Sequence, residues 1–290
     1  MTDPIACIVG WPVGHSRSPV IHRFWLKAYA IAGDYIIHPV APEDAGAFFR
    51  DFASGPFVGC NVTVPHKEAA FAAVDTIEDA GRAIGAVNTI WRDDGHLVAT
   101  STDGVGFLAN LDEGAPGWSD VPGPAIVLGA GGSARAVVWA LLERGFAPVH
   151  VVNRSLDRAE ALAARFGSRV RAAVWGALPT LLREARVLVN STSLGMEGQP
   201  PLAIDLVPLQ DDCLVTDIVY VPLETPLLAA ARGRGLRTVD GLGMLLHQAA
   251  PGFARWFGRM PEVTPDLRRA VLRDMGMTGG VTGRSPGGPA

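Results

Sequence analysis

Lys67 follows an apolar stretch and a proline in Asn61-Val62-Thr63-Val64-Pro65-His66-Lys67. A proline fixes the local turn, so a lysine just after it can be held with its ammonium over a pocket. Asp103, in Thr102-Asp103-Gly104, supplies a carboxylate that could orient such a lysine. Together they could share a substrate hydroxyl, as proton transfer coupled to hydride transfer requires. Each has a plainer alternative, a solvated lysine and a cap for the helical run that reaches Leu111. Spacing alone does not bring the two together. Asn88-Thr89 adds an amide and a hydroxyl, and in Gly14-His15-Ser16-Arg17-Ser18-Pro19 the hydroxyls of Ser16 and Ser18 flank a helix start. There they can cap the helix or bond a polyhydroxylated ligand.

A second kind of chemistry is written in Gly129-Ala130-Gly131-Gly132-Ser133-Ala134, which follows the apolar run 125–128 and opens a helical stretch. This is the strand-turn-helix context of a dinucleotide site. Gly129 permits the tight turn, Gly131 lets the backbone approach a pyrophosphate at the helix N-terminus, and Ala134 allows close helix–sheet packing. An NAD site would place Asp or Glu about 20 residues on. This chain has Asn153-Arg154-Ser155 there, with Arg158 one helical turn further. A guanidinium with neutral hydrogen-bonding neighbours suits a 2′-phosphate, so NADP(H) is the expected cofactor. The alternative is a helix capped by Ser155 among solvated arginines.

Other chemistries find less support. The seven histidines form no H-x-x-x-H pair or His/Cys cluster, so no metal is expected. Cys7, Cys60 and Cys213 are odd in number and far apart, and are expected as reduced, mostly buried thiols. A net charge of −4, from 25 basic and 29 acidic residues, offers no broad positive field, so no nucleic-acid partner is expected. The first ten residues carry Asp3 where a leader would be basic, and no uncharged apolar stretch reaches about 18 residues. No membrane association and a cytoplasmic location are therefore expected.

The elements that must position these residues alternate between strand and helix. Apolar periodicity predicts strands at 5–9, 35–40 and 57–62, helices at 19 to about 31, 42–53 and after Pro65, and a strand pair 86–91 and 97–100 around Asp93-Asp94-Gly95. Residues 114–124 are rich in Gly, Pro, Ser and Asp and mark a boundary. A new core starts at Ala125, with a helix to about 144, a strand 149–152, a helix 156–166 and apolar runs 187–189 and 214–219. Helices follow at 241–257 and from Thr264-Pro265-Asp266 to about 275. The expected class is α/β, two alternating strand–helix domains of which the second is doubly wound, with the last helices able to return to the first. The expected limits are 1–112 with 241–277 for the first and 113–240 for the second. From 279 to 290 the chain has five Gly and two Pro, a composition that cannot form a packed core, so 278–290 is expected to be a disordered tail.

The motifs G-W-P-V-G-H-S-R-S-P, N-V-T-V-P-H-K, G-A-V-N-T, S-T-D-G-V-G, G-A-G-G-S-A-R-A, V-N-R-S, N-S-T-S-L-G-M and D-G-L-G-M-L-L-H-Q, in this order, strongly resemble the NADP-dependent, biosynthetic shikimate dehydrogenase family. The resemblance runs from residue 5 to about 275. It implies an N-terminal α/β substrate domain plus a Rossmann-type NADP-binding domain with the active site in the cleft between them, and the reversible reduction of 3-dehydroshikimate to shikimate, on the way to chorismate and aromatic amino acids. By this resemblance Lys67 and Asp103 are catalytic, and Lys67 exchanges a proton with the C3 oxygen. Ser16 and Ser18 bind the substrate carboxylate, Tyr220 closes that end, and Asn61, Thr63, Asn88, Thr102 and Gln248 hold ring hydroxyls or the lysine. Cofactor contacts are implied for Gly129, Ala130, Gly131, Gly132, Ser133 and Ala134, then for Asn153, Arg154, Ser155 and Arg158. Thr192, Ser193, Met196, Ile218, Gly241, Gly243 and Met244 complete that set. A small-molecule substrate and a monomer or homodimer are implied.

One departure is visible. The family commonly has N-T-D-G where this chain has Ser101-Thr102-Asp103-Gly104, and a shorter side chain at Ser101 is expected to loosen the support behind Asp103. Two rivals remain at this level: a relative of the same fold preferring quinate or NAD, and a non-catalytic sensor of NADP or a cyclohexene acid.

Overall fold

The computed structural model of the chain describes residues 3–277, so the tail expected to be disordered lies outside the described residues. Two six-stranded sheets organise the molecule. The first is built from β1 (Ile5–Gly10), β2 (Asp34–Pro39), β3 (Phe57–Val62), β4 (Thr76–Ile77), β5 (Thr89–Asp93) and β6 (His96–Thr100), in the order β2-β1-β3-β5-β6-β4. Helices α1 (Ser18–Ala28), α2 (Ala45–Asp51), α3 (Lys67–Ala73) and α4 (Asp79–Ile84) connect its strands. β1 pairs in parallel with β2 and β3, whereas β5 runs antiparallel to both β3 and β6. The β5–β6 turn is made by Asp94 and Gly95, both at positive φ, as a two-residue hairpin turn demands.

Helix α5 (Asp103–Gly114) leads to the second sheet. Its strands are β7 (Ala125–Leu128), β8 (Val149–Asn153), β9 (Val170–Val174), β10 (Val187–Asn190), β11 (Leu214–Asp217) and β12 (Arg237–Val239). All pairings are parallel and the order is β12-β11-β10-β7-β8-β9, the doubly wound order with its switch point between β7 and β10. Four helices connect its strands: α6 (Gly132–Glu143), α7 (Leu156–Phe166), the short α8 (Leu178–Leu181) and α9 (Pro226–Gly233). β7 and β10 are buried along their whole length because helices cover both faces, which is why they read as continuous apolar runs. Helix α10 (Leu242–Phe257) then returns to pack on α5, α1 and the first sheet, and α11 (Pro265–Asp274) packs on α1.

Two glycines of Gly104-Val105-Gly106 let α5 sit between its neighbours. A Cβ on Gly104 would stand 3.1 Å from the Ala136 carbonyl of α6, and one on Gly106 would stand 2.7 Å from the Gln248 amide of α10. Side chains there would force the three helices apart. The core of the first sheet is likewise closed by Trp256 of α10, which lies over Gly59 and donates from Nε1 to the Ile90 carbonyl at 2.9 Å.

The structure departs from the sequence pattern in detail. The helix expected to about residue 31 stops at Ala28, because Ala30 turns to φ 51° and the Ile31 amide closes back on the Leu26 carbonyl at 3.0 Å. The helix expected over 42–53 is Ala45–Asp51 followed by a 3₁₀ turn, Phe52–Ser54. The strand expected from residue 86 begins at Thr89. Elements β4, α4, β9, α8, α9 and β12 were not legible in the pattern; β4, β9 and β12 are short or partly exposed strands with no continuous apolar run.

Candidate active site

Lys67 is the first residue of α3 and Asp103 the first of α5. The Nζ of Lys67 donates to Oδ2 of Asp103, and both side chains are mostly withdrawn from water, at 21% and 15% exposure. The start of a helix is favourable for the Asp103 carboxylate. Asp103 does not cap α5: Thr102 stands at the cap position, and the carboxylate is spent on Lys67 and Asn88.

Asn88 organises the surrounding hydrogen bonds. It lies just ahead of β5, where its carbonyl accepts from the Val62 amide at 2.8 Å and its amide donates to the Thr100 carbonyl at 3.0 Å. Its side-chain Oδ1 accepts from the Thr102 amide at 2.8 Å, the Thr102 hydroxyl at 3.1 Å and the Thr89 hydroxyl at 3.0 Å. That fixes which end of the amide faces the acid: Nδ2 donates to Asp103 Oδ1 at 2.7 Å and to Gln248 Oε1 at 3.3 Å. Asn61 is held in turn, donating from Nδ2 to the Asn88 carbonyl at 3.1 Å and accepting from the Tyr35 hydroxyl at 2.6 Å. Ser101 is buried, and among the described residues no hydrogen bond joins its side chain to Asp103. The support behind the acid comes from Asn88.

These groups line a cavity of about 490 Å³ between the two sheets. Ser16, Ser18, Asn61, Thr63, Lys67, Asn88, Asp103 and Gln248 line one side, and Ser133, Ile218, Tyr220, Gly241 and Met244 complete the wall. Burial raises the Tyr220 hydroxyl above the ordinary tyrosine range, partly offset by the positive charge of Arg17. Ser16 accepts the Ser18 amide at 3.2 Å, so it is engaged at the helix start while still facing the cavity. Thr102 stands behind Asn88 and does not line the cavity.

The remaining expected residues sit on the second sheet. Gly129 turns at φ 103° with Ser191 and Thr192 packed against it, and Ala134, in the first turn of α6, is fully buried. Among the described residues a Cβ on Gly131 or Gly132 would meet nothing within 4 Å, and Gly131 at the α6 cap position offers no side chain to the first-turn amides. This open, amide-lined cradle fits a pyrophosphate. Ala130 lies half-buried in the same turn. Asn153 donates to the Ser155 carbonyl at 2.9 Å, and Ser155 stands at the α7 cap position without making a side-chain cap. Arg154 and Arg158 are exposed and form no ion pair among the described residues, which fits a 2′-phosphate. Thr192 is anchored to Asn190 Oδ1 at 2.7 Å, while Ser193 and Met196 are exposed beyond it. Gly243 faces away from the cavity, against Asn110 of α5.

Three family models match the chain: shikimate dehydrogenase substrate binding domain over residues 8–90, shikimate / quinate 5-dehydrogenase over 123–196 and shikimate 5′-dehydrogenase C-terminal domain over 241–272. A shikimate dehydrogenase (NADP(+)) of Azorhizobium caulinodans is 57% identical over 94% of this chain and 97% of its own length. The chain belongs to the shikimate dehydrogenase family. Its fold is that of the solved members. A Thermus thermophilus shikimate 5-dehydrogenase in complex with NADP(H) and shikimate matches with a TM-score of 0.83 and 36% identity, over 93% of this chain and 99% of that one. A Corynebacterium glutamicum quinate dehydrogenase in complex with NAD matches with a TM-score of 0.85 and 29% identity, over 96% and 100%. The shikimate dehydrogenase architecture, an N-terminal substrate domain with a Rossmann-type domain, accounts for the two sheets described above.

Two contributors to the site went unnoticed in the sequence. Tyr35 opens the strand predicted over 35–40 with no chemistry assigned to it, and only the fold turns its hydroxyl to Asn61. Arg17 lies inside a quoted motif, but the flanking serines drew the assignment; it too lines the cavity. Among the described residues no group of His, Cys, Asp and Glu is arranged to hold a metal ion.

Proposed function

We propose that this chain catalyses the reversible, NADPH-dependent reduction of 3-dehydroshikimate to shikimate in chorismate and aromatic amino-acid biosynthesis. The observation that carries this is Lys67 bound to Asp103 in a cavity walled on its far side by Ser133 at the start of the dinucleotide-type helix. Residues 1–112 and 241–277 act as the substrate-binding unit and 113–240 as the cofactor-binding unit.

In the forward direction a C3 ketone becomes an alcohol, which requires a hydride at carbon and a proton at oxygen. Bound NADPH supplies the hydride. Lys67 Nζ gives its proton to the C3 oxygen as negative charge grows there, and takes it back when shikimate is oxidised. Asp103 keeps the ammonium aimed at that oxygen, and Asn88 keeps Asp103 from turning away. Ser16, Ser18 and Tyr220 take the substrate carboxylate, while Asn61, Thr63, Asn88 and Gln248 meet the ring hydroxyls, with Thr102 acting through Asn88. Ile218, Gly241 and Met244 form an apolar wall that limits water at the reacting carbon. The open turn at Gly131 and Gly132 would hold the cofactor pyrophosphate, and Asn153, Arg154, Ser155 and Arg158 its 2′-phosphate end.

The proposal includes a cytoplasmic catalyst, working as a monomer or homodimer without nucleic acid. The net charge of −4 supports the reading without nucleic acid, and among the described residues no helix is long and apolar enough to cross a membrane. Nicotinamide absorbance is the test, with shikimate or quinate, each supplied with NADP⁺ or NAD⁺. Fast turnover with shikimate and NADP⁺ alone is the expected result. A preference for quinate or NAD⁺ would assign the chain to a relative of different substrate use, and ligand binding without turnover in all four mixtures would make it a sensor.

A further inference from the structure

The end of the cavity assigned to the substrate carboxylate holds the hydroxyls of Ser16, Ser18 and Tyr220 and one permanently charged group, the guanidinium of Arg17, with the His15 imidazole also lining the cavity. Hydroxyls orient a carboxylate but do not distinguish it strongly from a neutral ester or amide of the same shape, because both present carbonyl-type acceptors. A cation does. The other lysine or arginine lining this cavity is Lys67, and its charge is already matched by Asp103.

Arg17 stands at the cap position of α1, between the two serines in sequence and beside the first-turn amides of an eleven-residue helix. Its side chain is two-thirds withdrawn from water, and its guanidinium makes one hydrogen bond among the described residues, from Nη1 to Asp274 Oδ2 of α11 at 2.7 Å. A guanidinium has five N–H donors, so most of the fork remains free for a second acceptor. Its positive charge also acts on the Tyr220 hydroxyl, which lines the same cavity. Asp274 is itself partly exposed, so the Arg17–Asp274 pair holds the side chain without closing it off from the cavity.

We infer that Arg17 is a specificity-determining residue: it selects substrates bearing a carboxylate, sharing its guanidinium between Asp274 and the bound anion. This rests on the shikimate reading of the cavity and adds to it the group that makes an acid the preferred ligand.

The test compares kcat/KM for shikimate with kcat/KM for shikimate methyl ester, using the full chain with NADP⁺ at low and at high salt. Arg17→Gln should lower the acid-to-ester ratio about tenfold, the size of one charge-assisted hydrogen bond at a partly exposed site. The loss should lie mainly in KM for shikimate, and the salt dependence of its kcat/KM should flatten. Arg17→Lys should restore most of the ratio, because charge and reach are kept. Asp274→Asn keeps a neutral oxygen acceptor that holds Arg17 while removing the competing charge, and should raise the ratio by about two- to threefold; it gives the reading if Arg17→Gln does not fold. A folded Arg17→Gln enzyme whose ratio and salt dependence match the parent overturns the inference, and so does a fall in the ratio on Asp274→Asn. If the unaltered chain fails to oxidise shikimate, the functional proposal itself fails; turnover with an unchanged ratio removes only the role of Arg17.

Discussion

Asn88 Nδ2 lies 2.7 Å from Asp103 Oδ1, and the other end of the same amide accepts three hydrogen bonds from Thr89 and Thr102. The amide can present only its N–H groups to the acid, so Asn88 is a positioning residue for the Lys67–Asp103 pair. Asn88→Asp would set a carboxylate against Asp103 and the three donors would hold it there. Asn88→Ala should reduce kcat by roughly ten- to a hundredfold, the worth of a hydrogen bond to a charged group. A stopped-flow comparison of the chemical step would check it, and Asn88→Gln, which keeps the amide but lengthens it, should recover part of the loss.

Lys67→Ala should cost kcat about 10²- to 10⁴-fold, with a much smaller change in KM, because proton donation matters chiefly in the transition state. Steady-state kinetics in both directions would measure this. Equal losses in binding and turnover would assign Lys67 to substrate binding instead.

Arg154 is exposed with no acidic partner among the described residues, so its removal should cost little stability. Arg154→Ala should weaken NADP⁺ by about 1.5 to 3 kcal/mol while leaving NAD⁺ almost unchanged. Titration of the two cofactors against the same protein preparation would show the difference, and an unchanged preference would place the 2′-phosphate elsewhere.

His22 gives the fold a dependence on acid. It is fully buried, stacked on Tyr35 with ring centroids 4.0 Å apart, and among the described residues neither ring nitrogen has a hydrogen-bond partner. Burial lowers its pKa to about 3, a shift the nearby Asn61 side chain offsets only in part. The folded state therefore keeps His22 neutral where the unfolded chain, with a value of about 6.5, takes up a proton. Its contribution to stability is complete above about pH 6.5 and is lost as pH falls towards about 3, at about 2 kcal/mol between pH 7 and pH 5. Urea unfolding at both pH values would measure the slope. His22→Phe should remove that part of it, and an identical slope in the variant would mean that other groups carry the acid sensitivity.

Gly106 joins the fold to the site through backbone spacing. Because its Cβ position is occupied by the Gln248 amide of α10, Gly106→Ala should lower stability by about 1 to 3 kcal/mol and should also raise KM, since Gln248 rides on the displaced helix. Thermal unfolding and steady-state kinetics on one variant would test both.

Much of this protein was determined by local sequence. The run 125–128 followed by Gly129-Ala130-Gly131-Gly132 specifies a buried strand, a turn at positive φ and a helix start, and each depends on residues only a few positions apart. The same holds for the Asp94-Gly95 hairpin turn and for Asn153-Arg154-Ser155 at the end of a strand, and the ordered motifs carried the family. What local residues could not determine is which distant groups meet. Asn88 reaches Gln248 across 160 positions and Arg17 reaches Asp274 across 257, and both contacts exist because α10 and α11 return to the first sheet and to α1. Lys67 meets Asp103 because β3, β5 and β6 lie side by side and bring the starts of α3 and α5 together. Strand order and helix docking follow from burying several apolar faces at once, a property of the whole chain, so the turn chemistry was legible in the sequence and the site was assembled only by the tertiary structure.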